Sequence, residues 1–250
     1  MVLSALSEED NPMMKFYEKH GIWFAVLWIL VYCFATIPIR GNFGDESVLM
    51  TIALAIIAIV ITMFVKKNHL EEKYGLTSFT IELKKYLYFI PVIILVTGNL
   101  WGGFAIAYRG ISQVFAVISM LLIGFVEEML FRGFLFKALI PKDGLKLSVI
   151  ISSVTFGIGH IVNLLAGQAN LETVIQVLFA IAWGFIFTMV YLKSGSLLPC
   201  IIAHGLVDAF SKFSAESITI EWVYMIATII IAVVYCIYLS KLSNKAIETK

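Results

Sequence analysis

Apolar residues run through this chain in long blocks, and polar residues cluster between them. The blocks lie near 21–39, 47–65, 86–108, 111–140, 146–165, 171–192, 196–212 and 221–240. Each comes close to or exceeds the roughly 20 residues that carry a helix through a bilayer. None alternates with the period of two that marks a strand, and blocks this long favour helix. The pattern predicts an all-α polytopic membrane protein with about eight transmembrane helices. The block at 111–140 is longer than a bilayer needs, which predicts tilt or projection beyond it. The tight turn Pro141-Lys142-Asp143-Gly144 then makes the fourth and fifth spans an antiparallel pair. Between Lys66 and Lys85 charges and apolar residues mix, as in an interfacial amphipathic helix. No repeat, low-complexity tract or linker interrupts the chain, so 1–250 reads as a single integral-membrane domain.

The charges between blocks orient the spans. With both termini on one side, fourteen of the eighteen basic residues fall on that side. Arg40, Arg109 and Lys212 fall on the other, and Arg132 lies within a span. So uneven a division is the signature of loops retained in the cytoplasm, and it predicts cytoplasmic N- and C-termini. Composition agrees with a multi-pass membrane protein: 60% of residues are hydrophobic and 14% charged, with a mean hydropathy of +0.95. That is too apolar for a soluble domain on one anchor. A net charge of +1 points to no nucleic-acid partner. Cys33, Cys200 and Cys236 all sit in apolar blocks, which argues against a disulfide framework. The acidic, polar N-terminal segment lacks the basic-then-apolar order of a signal peptide, so the first span is expected to stay.

The polar residues left inside the spans carry the chemistry. Of seventeen acidic residues only Glu127, Glu128 and Asp208 lie well within a span, joined by Arg132, His160 and His204. A charged residue at the centre of a span costs about 2.5–3.5 kcal/mol on insertion scales, so these groups must pair or line a wet cavity. Glu128 and Arg132 are four apart and share a helix face, which suits an ion pair. Glu127 points about 100° away from Glu128. This assigns Glu128 to structure and Glu127 to chemistry. Counted from the middle of the turn, Glu127 and His160 are equally far along their two helices, on the order of 20 Å from it. His204 and Asp208, again four apart, reach a comparable level on the seventh span. Taken singly, the Glu–Arg pair reads equally well as structural glue and an intramembrane histidine more often as a packing residue. Asn163 bonds across helices or supports His160. Phe156, Trp183, Tyr191, Met129 and Cys200 read as packing. The shared depth is what favours a site.

Three short patterns, Glu127-Glu128-x-x-x-Arg132, Phe156-x-x-x-His160 and His204-x-x-x-Asp208, resemble in order the signatures of the CPBP intramembrane protease family. That family includes CAAX prenyl endopeptidases and bacterial members linked to bacteriocin processing and immunity. The resemblance covers about 86–212, with 21–39, 47–65 and 221–240 as flanking spans. It implies Glu127 as the glutamate that activates water, with His160 assisting and Glu128 held by Arg132. His204 and Asp208 would complete the site, facing the oxyanion or helping to hold a metal. Many members carry asparagine at the last position. An ionised Asp208 cannot donate to an oxyanion, but it suits orienting a histidine or ligating a metal.

Amide hydrolysis needs an activated water, a partner for the oxyanion and a proton for the leaving amine. A glutamate serves as base and then acid, and histidines supply the positive charge. No serine or cysteine is placed as a nucleophile: Cys200 has only its one-turn spacing from His204 in its favour. Glu127, His160 and His204 make a donor set for one divalent metal such as zinc, yet the pattern HExxH is absent. Metal-assisted and metal-free chemistry both stay open. The expected substrate is a hydrophobic, lipidated or membrane-associated peptide or protein, reaching the site sideways or from the cytoplasmic end. The expected location is the membrane itself, the cell membrane if the host is bacterial. Two other classes compete. One is a non-proteolytic immunity or scaffold protein with a structural polar layer. The other is a proton-coupled transporter, which lacks the paired, interrupted helices such proteins use.

Overall fold

The computed structural model describes residues 11–77, 89–215 and 217–241. Those residues fold as helices, and the strand-like contact recorded among them is an isolated bridge between Phe104 and Ser214. Helix α1 (Pro12–Lys19) starts at Asn11, whose side chain accepts from the Met13 amide, and α2 (Gly21–Phe43) follows at once. Ser47 caps α3 (Val48–Lys67) in the same way. Next come the short α4 (Ile90–Val96) and α5 (Ile111–Glu128). Without a break, α5 widens into a π-helical stretch, Met129–Phe136, and continues as α6 (Lys137–Gly159) and a 3-10 stretch, His160–Ala166. The chain ends in α7 (Asn170–Ser194), α8 (Leu198–Ser211) and α9 (Ile218–Ser240).

Among the described residues, five helical runs are long and apolar enough to cross a membrane: 21–43, 48–67, 111–166, 170–194 and 218–240. The 56-residue run would stretch about 84 Å if straight, far beyond a hydrocarbon core of about 30 Å. It folds back at Gly144, whose φ of 71° and ψ of 166° are outside the helical region and favour a residue without a Cβ. The two arms lie antiparallel. Ser152 Oγ donates to the Phe131 carbonyl at 2.9 Å, and the Phe131 and Phe156 rings meet edge-on at 5.2 Å. The turn expected at Pro141–Gly144 therefore makes the hairpin expected of it.

Two of the eight expected spans fall short. The block at 196–212 yields a 14-residue α8, about 21 Å long. The block at 86–108 is corrected more strongly. Residues 86–88 lie outside the described residues, and helix covers only Ile90–Val96 and the single turn Gly98–Leu100. Its apolar residues promised a helix, but Gly98, Gly102 and Gly103 break the run. Irregular backbone is tolerated there because protein satisfies it. Ala105 and Ala107 donate to the carbonyls of Phe213 and Lys212 at 2.9 and 3.1 Å, and Asn99 Nδ2 donates to the Val207 carbonyl at 2.7 Å. The expected amphipathic helix at 66–85 is also corrected where it is described. Helix stops at Lys67, and residues 68–77 run as turns that bury Tyr74. Residues 78–85 lie outside the described residues.

Contacts sort the helix ends onto two ends of the bundle. At the hairpin end, Phe134 meets Phe24, Phe64 and Tyr74 at centroid distances of 5.2, 6.2 and 5.5 Å, and Leu197 donates to the Gly75 carbonyl at 3.1 Å. At the opposite end, Lys212 Nζ lies 3.5 Å from Asp45 Oδ2, and Thr51 Oγ1 lies 2.9 Å from Ser119 Oγ. The intramembrane polar residues sit between these two closures.

Candidate active site

The site begins where two backbones touch. A Cβ on Gly124 of α5 would stand 2.5 Å from the Gly205 nitrogen and 2.7 Å from its Cα. No side chain fits in that gap, so α5 and α8 cross in direct contact. The crossing lies one turn before Glu127 and Glu128 and beside His204. Small residues at a helix crossing permit this approach, and here it brings the His204 ring within reach of both glutamates.

Glu128 and Arg132 form the ion pair that their spacing predicts. Arg132 Nη1 donates to Glu128 Oε1 at 2.8 Å, and both side chains are fully buried. A buried pair of this kind needs further hydrogen bonds; Arg132 makes them, while Glu128 Oε2 is buried without a hydrogen-bond partner. Arg132 directs Nη2 to the Gly184 carbonyl at 3.3 Å and Nε to Thr188 Oγ1 at 3.4 Å. Its guanidinium lies 4.1 Å from the centroid of Phe156, a contact that suits a cation over an aromatic face. Glu128 Oε1 also lies 2.9 Å from His204 Nδ1. A carboxylate only accepts, so Nδ1 carries the proton of that bond. Phe187 stacks on the same ring at 5.3 Å, and Phe156 meets it edge-on at 5.6 Å. His204 is thus fixed in tautomer and in plane.

Its other nitrogen faces the reactive side. His204 Nε2 stands 3.8 Å from Glu127 Oε2 and 3.4 Å from Asp208 Oδ2. Glu127 itself is held from another helix: Tyr32 of α2 donates its hydroxyl to Oε1 at 2.6 Å. Glu127 Oε2 is buried without a hydrogen-bond partner. A distance of 3.8 Å is too long for a direct hydrogen bond. It leaves one carboxylate oxygen and one imidazole nitrogen facing a common space.

The remaining expected residues lie further out. His160 places Nδ1 3.1 Å from the Phe156 carbonyl, and its ring packs edge-on against Phe156 at 5.3 Å. It therefore shares Phe156 with His204 and shows no recorded bond to Glu127. Asn163 donates to Gln176 Oε1 at 2.8 Å and accepts from Arg40 Nη1 at 2.9 Å, so it bonds across helices. Arg40 Nε in turn reaches Asp45 Oδ1 at 2.8 Å. Burial pushes the Asp45 carboxyl up, but the charges of Arg40 and Lys212 and the hydrogen bonds they donate outweigh it and hold it below the usual carboxylate range. Among the described residues no group of three or more His, Cys, Asp or Glu side chains is placed to hold a metal ion. No step below runs through a metal.

Exposure gives the layer a direction. Toward the hairpin, every residue from Met129 to Phe136 is buried. Away from it, the side chains of Asp208 and Arg40 are 28% and 24% exposed.

Sequence reasoning overlooked Tyr32, Arg40, Asp45 and Thr188. Arg40 and Asp45 stood at a block edge and read as loop charges. Thr188 and Tyr32 lay in apolar blocks, where a hydroxyl gives no periodic signal. No curated protein matches the chain. Residues 109–210 match the family of the type II CAAX prenyl endopeptidases, Rce1-like. That stretch runs from the start of α5 through nearly all of α8 and holds both glutamates, Arg132, both intramembrane histidines and Asp208. Over residues 109–210 the chain is similar to the CPBP/CAAX protease family.

Proposed function

We propose that the protein is an intramembrane endopeptidase that cleaves a hydrophobic, lipidated or membrane-associated peptide by direct attack of water. One observation carries this reading: Glu127 Oε2 is buried and unpartnered, 3.8 Å from a histidine nitrogen whose ring is fixed on its far side by Glu128. Oε2 takes a proton from water as its oxygen attacks the scissile carbonyl carbon. Nε2 of His204, with both ring nitrogens protonated, donates to the developing oxyanion. Asp208 and Glu127 face that ring on the Nε2 side, and Glu128, itself paired with Arg132, accepts from Nδ1. The C–N bond then breaks as Glu127 returns the proton to the leaving nitrogen, which yields a free amine and a carboxylate. Asp208 lies too near Nε2 to act elsewhere, so its role is to orient and balance His204. His160 packs against the Phe156 ring that His204 also meets. The peptide reaches the layer sideways between helices or from the end that carries Asp45 and Lys212, toward which Asp208 and Arg40 are part-exposed.

The test compares the N- and C-termini of membrane peptides in cells carrying wild type or Glu127→Gln. The isosteric change removes the base and leaves the volume, and set-specific termini should vanish with it. Identical sets of termini, with a phenotype that persists in Glu127→Gln, would establish the non-proteolytic reading instead.

A further inference from the structure

We infer that Tyr32 is a positioning residue of this reaction, one that pins Glu127 by Oε1 so that Oε2 alone meets the reacting water. The inference rests on reading Glu127 as the base. It extends the site to α2, which lies outside residues 109–210.

A carboxylate presents two equivalent oxygens, and the torsion that exchanges them is broad and two-fold. Left to itself, Glu127 would divide its time between them. The Tyr32 hydroxyl breaks that equivalence with a bond of 2.6 Å to Oε1, while Oε2 has no partner. The neighbouring charges do not duplicate it. Arg40 gives Nε to Asp45 and Nη1 to Asn163. Arg132 is committed to Glu128, Thr188 and Gly184. His204 turns Nδ1 to Glu128 and stands on the Oε2 side. A phenylalanine would fill the volume of this 7%-exposed tyrosine without leaving a hydroxyl to satisfy. The hydroxyl therefore has a purpose, and its recorded partner is Glu127.

The phenol is also held in place. Near its start α2 packs Phe24 against Phe134 at 5.2 Å. Near its end Gly41 lies beside Ala166, where a Cβ would make ordinary contact with the Ala166 Cα at 3.4 Å. With both ends of the helix fixed against the hairpin, the position of the hydroxyl relative to Glu127 is set by the scaffold, as a precise catalytic group requires.

The experiment uses purified full-length protein and the peptide found by the terminus comparison. For Tyr32→Phe, kcat should fall by about tenfold to a hundredfold while KM moves by less than about twofold, the pattern of an interaction that serves the transition state. Thr36→Val is the control. It removes a neighbouring α2 hydroxyl that bonds only the Tyr32 carbonyl, and it should keep kcat. Infrared difference spectra of wild type against Tyr32→Phe should show a shifted carboxylate band that is absent when the pair is compared in the Glu127→Gln background. Unchanged kcat in Tyr32→Phe, an equal loss in Thr36→Val, or no carboxylate shift would each overturn the role of Tyr32 while cleavage by wild type stands. Absence of any Glu127-dependent cleavage by wild type would instead sink the peptidase reading, and this role with it.

Discussion

Arg132 and Glu128 are fully buried at 2.8 Å from each other, so removing one strands the other in a medium that cannot solvate it. Arg132→Leu should destabilise the protein by about 3–5 kcal/mol, seen as a lower unfolding temperature in detergent. Adding Glu128→Leu should recover part of that loss, since an apolar pair of similar bulk is better tolerated than a lone charge. A double variant less stable than Arg132→Leu would show that the His204 contact with Glu128 outweighs the ion pair. At this scale the sequence was informative wherever partners share a helix. The four-residue spacings of 128 with 132 and of 204 with 208 give contacts at 2.8 and 3.4 Å. Equal distance from the turn gives Glu127 and His160 one expected level, but spacing along two helices does not report azimuth, and the contacts of His160 are to Phe156. Tyr32 lies 95 positions from Glu127. No local period reports such a contact.

Between elements, the charges outside the apolar blocks matter most at the end opposite the hairpin. Asp45, in the turn between α2 and α3, ties Arg40 of α2 to Lys212 at the end of α8. Its proton affinity is lower folded than unfolded. The stabilisation is therefore present at pH above the unfolded value of about 3.9 and is lost as pH falls through the folded one. Asp45→Asn should lower the unfolding temperature at neutral pH and make it less sensitive to acid below about pH 4. An acid response identical to wild type would mean that other carboxylates govern it. The same end explains which elements could be read in advance. Long apolar blocks such as 48–65 become helices because nothing in them competes with the helical backbone. The block at 86–108 is also apolar, but its glycines let the chain leave the helix and pair with residues 212–215 instead. The π-helical widening at Met129–Phe136 is set by how the hairpin arms and α2 fit together, and side-chain type alone does not announce it.

Across the whole molecule, the two ends differ in charge as well as in packing. Lys19, Lys66, Lys67, Lys73, Lys142 and Lys193 flank the hairpin end, and Arg40, Arg109 and Lys212 the other. A membrane retains the basic end in the cytoplasm, which would place Asp45 and the open side of the polar layer on the outer face. The consequence is measurable in intact cells with a membrane-impermeant thiol reagent, in a background where Cys33, Cys200 and Cys236 are alanine. Glu46→Cys should label without permeabilisation, and Lys142→Cys only after it. The reverse pattern would keep the fold and the site but turn the molecule over, and substrates would then come from the cytoplasmic side. Labelling of both positions from outside would break the assumption that the hairpin and the Asp45 turn lie on opposite faces. The labelling pattern thus tests lysine placement directly, and with it the face of the membrane that Asp45 and the part-exposed side of the layer would meet.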